Sequence, residues 1–237
     1  MNAYHLVVRA TRERVLHLFA YQLGLGAERS VLALSNLYRR CMTDALMHYQ
    51  ARPSSARQRI LDTAYELFSR RGIHAVGVEE VVSRAAVAKA TLYRHFPSKD
   101  ELVLAFLEER ERRWTKEFVE AGARGRGASA EERLLAIFDV FHDWFQREDY
   151  EGCSFINVLL ETGDREHPIG NASARYLENV RTIVRTLAEE AGLRDPGALA
   201  LSWHLLMKGA IVQAAEGDRK AAQRAKAIAQ LLLEQHR

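Results

Sequence analysis

The sequence has little of several features that define large classes of proteins. Its two cysteines, Cys41 and Cys153, lie far apart and have no metal-ligand spacing, so we expect neither a disulfide framework nor a zinc site. Both thiols are expected to be reduced, as in the cytoplasm. No apolar run reaches the roughly 18 residues that a membrane-spanning helix needs. Only 4 prolines and few runs of β-branched residues occur, which favours helices.

Sequence motifs that mark catalytic sites are also absent. The chain contains no GxxxxGK phosphate loop, no GxSxG elbow, no HExxH and no glycine-rich dinucleotide turn. Adjacent acidic residues such as Glu131 and Glu132 point apart on a helix and are interpreted as surface charges. Cys153, His142 and His167 do not have the spacing of metal ligands. We therefore expect no enzyme activity and no metal or other cofactor.

The small net charge of +3 conceals an uneven distribution. Residues 1–53 carry 7 basic and 3 acidic residues, residues 54–99 carry 8 and 4, and residues 100–237 carry 19 and 24. A basic N-terminal part and an acidic remainder are typical of a DNA-binding domain attached to a larger body that does not bind DNA.

Three short helical patterns lie between Arg57 and Leu102. In the first, apolar residues recur at helical spacing from Ile60 to Phe68, and Gly72 ends the pattern. Gly77 precedes a second pattern of only two turns, and Pro97 blocks continuation of the third. The order and lengths of these patterns predict a DNA-binding helix-turn-helix with the third helix as recognition helix.

The polar side chains of the third pattern indicate contacts to DNA. Lys89, Thr91, Tyr93, Arg94 and His95 remain available after the apolar positions of that helix are assigned to the core. Ser98 and Glu101 form a capping-box signature for a fourth helix, and Lys99 stands at its N-terminus, where backbone N–H groups and a cation suit a phosphate.

This stretch resembles a known family. ILDTAYELFSRRG followed by VEEVVSRAAVAKATLYRHFPSKDELV is similar to the N-terminal domain of tetracycline-repressor-type (TetR family) transcriptional regulators. The resemblance implies an all-α homodimer with a three-helix DNA-binding domain and a larger helical domain for a small effector and for dimerisation. It places Lys89, Ala90, Thr91 and Tyr93 near the major groove, with Tyr93, His95 and Lys99 on phosphates.

The sequence departs from the family pattern at two places. The usual Thr-Ser or Thr-Thr is replaced by Val76-Gly77, and Gly-Val-Ser-Lys-Gly is replaced by Ala86-Val87-Ala88-Lys89-Ala90. Gly77 keeps backbone N–H groups for a phosphate but has no hydroxyl, and Ala88 and Ala90 favour contacts to thymine methyl groups. If the turn needs a positive φ at Ala86, alanine costs about 1 kcal/mol relative to glycine. The complete predicted DNA-binding set is Arg57, Gly77, Val78, Ala88, Lys89, Ala90, Thr91, Tyr93, Arg94, His95 and Lys99.

Residues 1–53 precede the usual start of such a domain. This segment is either a helical extension whose arginines reach DNA, or the result of an upstream start, with Met42 or Met47 beginning the native protein. Under both, Arg52 and Arg57 can form a short basic arm. VLHLFAYQLGLG is interrupted by glycines and lacks a convincing cleavage site, so a secretory signal is not expected.

Residues 100–237 are predicted to form the effector-binding and dimerisation domain. The fourth helix should continue to about Ala121, followed by a glycine-rich loop and a long amphipathic helix with aromatic residues on its inner face. Apolar residues cover more than one side of the helix from Ala198 to Ala215, which implies a partner. By the resemblance, the last two helices form the dimer interface.

The effector site is predicted from aromatic residues of this domain. Plain core packing remains the main alternative for each of them. His142, Glu161 and His204 are further candidates for polar contacts. The predicted ligand-binding residues are Phe141, Trp144, Phe155, Asn157, Tyr176, Trp203 and Met207.

Together these features predict a cytoplasmic, homodimeric transcriptional regulator. We expect a repressor that binds a palindromic double-stranded DNA operator and is released by a small apolar ligand, with no membrane partner. The alternatives are a helical protein-interaction module and an activator whose DNA-binding domain is not under ligand control.

Overall fold

The computed structural model describes residues 55–237, and every regular element in that range is helical, which confirms the all-α prediction. The predicted extension 1–53, with Cys41 and Arg52, lies outside the described residues. The elements are α1 (Ala56–Arg71), α2 (Val78–Arg84), α3 (Lys89–His95), α4 (Lys99–Arg110), a π-helical segment (Glu111–Glu120), α5 (Ala121–Arg124), α6 (Ala130–Phe145), α7 (Ser154–Thr162), α8 (Pro168–Glu190), α9 (Pro196–Ala215) and α10 (Ala221–His236).

Helix α1 begins at a serine cap and ends at Gly72, as its sequence predicts for the end. The Ser55 hydroxyl accepts a hydrogen bond from the Gln58 amide at 3.2 Å, and Gly72, with φ of +80°, ends the helix. The residues of the inner stripe are buried, as expected: Ile60, Ala64, Leu67 and Phe68. Helices α1, α2 and α3 pack on one another and are called the head below.

Helix α4 connects the head to the remaining helices, which are called the body. The Ser98 hydroxyl accepts a hydrogen bond from the Glu101 amide at 3.1 Å and so fixes the start of α4. The ring of Phe106 is fully buried and lies 5.5 Å from Phe68 and 5.6 Å from Tyr65, both on α1. Because α4 also packs against α7 and α8, the head and the body share one hydrophobic core.

The fourth helix continues past Ala121, near its predicted end, but ten of its residues are not α-helical. The chain remains helical to Arg124, but Glu111–Glu120 is π-helical, and the Ala121 amide donates to the carbonyl of Lys116, five residues back. A π turn takes one more residue than an α turn and therefore rotates the side chains that follow it. The rotated face buries Glu111, Trp114, Thr115 and Val119.

The body is arranged around the aromatic residues of α6. A complete capping box starts this helix, because the Glu132 amide donates to the Ser129 hydroxyl and the Ser129 amide donates to the Glu132 carboxylate, both at 3.2 Å. Helix α6 packs against α8 and α10, and α9 packs between those two. The inner residues of α6 that are fully buried include Leu134, Phe138, Phe141 and Phe145.

Helix α9 has two different faces. Trp203, His204 and Met207 are buried in the body, whereas Leu201 and Leu205 are 61% and 73% exposed. Within the described residues α9 is the single helix whose length and composition satisfy the criterion for a membrane span, a criterion that core helices also satisfy. Its inner face is occupied by packing within the body.

His204 is a buried histidine that is only 4% exposed. Burial, together with the positive charges of Lys208 and Arg181, lowers the pKa of His204 from its ordinary value of 6.5 to about 3. The ring is therefore neutral in the folded protein at neutral pH.

This histidine should make the protein sensitive to mild acid. Because the unfolded chain binds a proton near pH 6.5 and the folded chain does not, stability is full above that pH and is lost as the pH falls toward 3. Between pH 7 and pH 5, the free energy of unfolding should fall by about 2 kcal/mol more in the native protein than in His204→Leu. Urea denaturation at both pH values measures this difference, with the exposed His74→Leu as control. Parallel losses in the native protein and His204→Leu would contradict it.

Candidate nucleic-acid interface

The connection between α2 and α3 is a tight turn whose backbone carbonyls accept two hydrogen bonds. The Val87 amide donates to the carbonyl of Val82 at 3.3 Å, and Arg59 Nε of α1 donates to the carbonyl of Ala85 at 3.4 Å. Ala86 has φ of +50°, in the left-handed region. The sequence raised this conformation as a possibility, and the structure confirms it.

The outer surface of the turn and α3 carries most of the residues predicted to contact DNA. Leu92 and Phe96 are buried against the head, so the remaining side chains of α3 lie on the opposite side. Seven of the eleven residues are exposed: Arg57, Gly77, Ala88, Lys89, Ala90, Tyr93 and Arg94. Four are half-buried: Val78, Thr91, His95 and Lys99.

Lys89, at the start of α3, is paired with an acidic residue that the sequence analysis did not single out. Its ammonium contacts the Glu79 carboxylate of α2, and this hydrogen bond raises the pKa of Lys89 above its ordinary value. Both side chains are exposed. An ion pair on the surface is weak, so a phosphate oxygen can replace Glu79 as the partner of Lys89.

The predicted phosphate contacts at helix N-termini differ in geometry. Gly77 caps α2 with an ordinary φ of −85°, and a Cβ added there would meet no atom within 4 Å, so neither strain nor crowding requires glycine. Lys99 is the first residue of α4, next to the Ser98 cap. Arg57 and His95 also line a cavity of about 390 Å³ between the head and α8.

Polar contacts join the head to the body at three places. The Glu161 carboxylate of α7 accepts a hydrogen bond from the His74 amide at 2.9 Å. Arg113 of the π-helical segment pairs with Asp62 of α1 at 2.8 Å, and Arg110 of α4 donates to the Tyr65 hydroxyl at 3.1 Å. These three contacts therefore form only when the head is docked on the body.

Glu161, a candidate polar contact for an effector by its sequence, lies against the head in the structure. Its carboxylate lies so close to Gly72 that a Cβ there would approach Oε1 to 2.4 Å. A side chain at position 72 would force the Glu161 carboxylate to move, and the φ of +80° would strain the new residue as well. The sequence carried no signal for this contact, because the two residues are 89 positions apart.

Most of the residues predicted to bind a ligand are packed together in the body. Phe141, Phe155, Trp203 and Met207 are at most 1% exposed, and Trp144 is 5% exposed. Neighbouring rings approach closely, for example Phe141 and Trp144 at 5.6 Å. Such contacts are typical of a filled aromatic core.

Two members of the predicted set lie elsewhere. Asn157 is exposed on α7, so the structure does not bring it to the buried rings. Tyr176 of α8 is half-buried, packs against Phe155 at 5.3 Å and lines two cavities between the head and the body. Trp144 also borders a smaller cavity, of about 240 Å³, with Tyr65, Trp114 and Phe118.

The larger cavity beside Tyr176 is a cleft of about 600 Å³ between α1, the α4–π segment and α8. It is lined in part by Glu111 and Asn179, two residues that the sequence analysis did not single out. Asn179 Nδ2 donates a hydrogen bond to Glu111 Oε1 at 2.9 Å. In the sequence, Glu111 cannot be distinguished from the exposed charged residues around it. The π-helical turn that buries it has no recognisable spacing of apolar residues.

Comparison with known proteins gives two family matches. Residues 60–106 match the family model described as bacterial regulatory proteins of the tetR family. Residues 130–229 match a second model, described as a tetracyclin repressor-like C-terminal domain. The first match covers most of the head and the start of α4, and the second covers the body from α6 to α10.

Individual relatives agree with these matches. The HTH-type transcriptional regulator UidR of Escherichia coli (strain K12) is 35% identical over 155 residues, which cover 65% of this chain and 60% of UidR. The HTH-type transcriptional repressor KstR2 of Rhodococcus jostii is 28% identical over 60% of this chain and 67% of KstR2. The chain thus spans about 60% of the length of the curated relative UidR.

A solved structure extends the similarity over most of the described residues. The chain is similar to the crystal structure of a TetR-family transcriptional regulator from Streptomyces coelicolor, with a TM-score of 0.70 and 30% sequence identity. The match covers 77% of this chain and 96% of the Streptomyces protein. The shared fold therefore includes both the head and the body.

The left-handed conformation of Ala86 generates a stability prediction. Ala86→Gly should raise the free energy of unfolding by up to about 1 kcal/mol, because the unfavourable contact of Cβ in this conformation outweighs the added flexibility of glycine. The neighbouring Ala85 has φ of −72° and is buried, so Ala85→Gly should lower stability by about 1 kcal/mol. Chemical denaturation of both variants measures the pair. If the two substitutions shift stability in the same direction, the strain at Ala86 is not significant.

Proposed function

Because the chain belongs to the TetR family of helix-turn-helix transcriptional regulators, we propose that it is a dimeric repressor of a palindromic operator, controlled by a small ligand. The observation that carries this proposal is the basic and aromatic outer surface of α3 on a well-packed head. The alternative of a protein-interaction module would not need this basic and aromatic surface.

We assign recognition of the DNA bases to α3 and the turn that precedes it. Ala88, Lys89, Ala90 and Thr91 form the first turn of α3 with its cap, the part of a recognition helix that approaches base edges. Tyr93, Arg94 and His95 are proposed to contact the DNA backbone, together with Lys99 at the start of α4. The other proposed contacts are Arg57, Gly77 and Val78.

The proposed dimer interface is the outer side of the last two helices. Leu201, Leu205 and Val212 lie along α9, and Ile228 and Leu231 lie on α10, all between 49% and 73% exposed. Five large apolar side chains on two packed helices form an apolar surface that is unfavourable to expose to water. A second copy of the chain would bury this surface. Two heads in one dimer can bind two half-sites about one helical turn apart, which a palindrome provides.

Ligand control is proposed to act through α4. This helix starts at the Lys99 end of the head, packs on α1 and continues into the body through the π-helical segment. A ligand that prefers the docking geometry in which the heads no longer match the operator lowers DNA affinity by that preference, typically about 1–3 kcal/mol. Such a regulator works in the cytoplasm, where its operator DNA is found.

Selection from a random DNA pool tests the proposal directly. Duplexes retained by the purified protein are expected to contain an enriched inverted repeat, because two symmetric heads bind equivalent half-sites. A pool with no enrichment, retained only by salt-sensitive binding, would contradict sequence-specific regulation and favour the interaction module.

The selected duplex allows base and phosphate contacts to be separated. Lys99→Ala should weaken binding to the selected duplex and to a scrambled one alike, and should reduce the slope of log K against log salt by about one phosphate contact. Thr91→Ala should instead change the preference between the two duplexes. Gel-shift titrations at several salt concentrations measure both effects. Equal losses on both duplexes for Thr91→Ala would remove Thr91 from base recognition.

The dimer interface can be tested by one charge. Leu205→Glu should convert the dimer to monomer and weaken operator binding, because each dimer would bury two unpaired carboxylates. Leu160→Glu is the matched control, since Leu160 is 74% exposed on α7, outside the proposed interface. Light scattering after size-exclusion chromatography gives the mass of both variants. A dimeric Leu205→Glu variant would exclude this face as the interface.

A further inference from the structure

The cleft of about 600 Å³ lies where a ligand can contact head and body at once. Leu61 lines it from α1, Ala105 from α4, Glu111 from the π-helical segment, and Tyr176 and Asn179 from α8. A cavity of about 390 Å³ shares Ala105 and Tyr176 with it and extends the opening toward His95. This size is in the range of cavities that bind small organic molecules.

Glu111 is the polar group whose bonding is incomplete in this cleft. The residue is only 6% exposed. One carboxylate oxygen, Oε1, accepts a hydrogen bond from Asn179 Nδ2 at 2.9 Å, whereas Oε2 is buried without a hydrogen-bond partner among the described residues. A buried carboxylate oxygen without a donor is costly, and a small turn of the Glu111 side chain toward the cleft that it lines would give Oε2 a donor that the protein itself does not supply.

The other charges around the cleft do not complete the bonding of Glu111. Glu109 is engaged by Arg112 and Arg113, and Arg112 also contacts Glu117. Lys116 and Arg57 border the cleft but do not approach Glu111 within the 4.0 Å of an ion pair. Positive charges of the protein therefore lie at the cleft without neutralising its most buried carboxylate.

The π-helical segment collects several such groups. Besides Glu111, Trp114 Nε1 and Thr115 Oγ1 are buried without hydrogen-bond partners among the described residues, so three side chains within about one helical turn leave polar atoms unpaired. Irregular π-helical turns within α-helices frequently occur at functional sites. The incomplete bonding and the irregular helix thus coincide on the element that joins the head to the body.

We propose that the cleft binds an amine whose protonated nitrogen donates to Glu111 Oε2 and whose apolar part lies against Leu61 and Tyr176. This site rests on the ligand control proposed above and defines the ligand class as apolar molecules with one cationic nitrogen. Because Leu61 belongs to the head and Tyr176 to the body, an amine between them changes the distance at which the two can dock. Its binding is thereby coupled to the position of α3.

Three probes of one shape and different charge test the site. They are 2-phenylethylamine, 2-phenylethanol and 3-phenylpropanoate, titrated into the full chain by calorimetry at neutral pH. The native protein should bind the amine about tenfold or more tightly than the alcohol, as expected for a charge-assisted hydrogen bond to a buried acceptor, and the carboxylate least. Equal binding of amine and alcohol, or no binding of any probe at millimolar concentration, would overturn the proposal.

Substitutions locate the binding in the cleft. Glu111→Gln keeps the shape of the side chain and an oxygen for Asn179 but removes the charge, and should abolish the preference for the amine. Glu117→Gln, on the same segment but outside the cleft lining, should retain it. If Glu111→Gln does not fold as judged by circular dichroism, Ala105→Phe fills the cleft without changing charge and should prevent amine binding. Native-like binding in Glu111→Gln or in Ala105→Phe would contradict the site.

The result can be separated from that of the proposed function. Calorimetry does not require DNA, so the cleft can be confirmed even if no operator is found. If the amine binds at Glu111 but leaves the affinity for the selected duplex unchanged, the binding site stands and its coupling to DNA is excluded. A further outcome is that Glu111→Gln binds the duplex, and another ligand releases it, as in the native protein. The regulatory function then stands, and the proposed role of Glu111 in it is wrong.

Discussion

The packing of Phe106 against Phe68 and Tyr65 is the contact on which the rest of the structure depends. It places α4 in the core of the head, while α4 also packs against α7 and α8 of the body and continues into the body through the π-helical segment. Because the head is small, the shared core adds to the burial of the head's own apolar residues and so helps to keep α3 in place. A head built in this way can move only together with the helix that supports it.

Much of the fold follows from local signals in the sequence. Ser98 caps α4 as its position predicts, and Gly72 ends α1 because it can adopt a positive φ. Ser55 and Ser129 cap α1 and α6 by the same kind of hydrogen bond. Apolar spacing identified the buried residues of α1 and α6, which do not depend on distant contacts. The outer surface of α3 could be predicted for the same reason. On a short helix, the residues that are not assigned to the core are the exposed ones.

The features that could not be predicted depend on contacts between distant parts of the chain or on helix geometry without a sequence signature. The bond from His74 to Glu161 joins residues far apart in sequence, so Glu161 resembled a ligand contact until the fold was known. The π-helical turn buries Glu111 although its neighbours in sequence are charged. Asn157 lies on the wrong side of α7 for the predicted pocket, because a one-residue change in helical phase moves a side chain by about 100°.

The hydrogen bond from the His74 amide to Glu161 has a consequence for following the motion of the head. His74 belongs to an exposed loop of the head, yet its amide hydrogen is bonded to a carboxylate of the body. That hydrogen exchanges with solvent when the head leaves Glu161, without any need for the head itself to unfold. The exchange rate of this one amide thus reports the free energy of undocking, separately from the stability of either part.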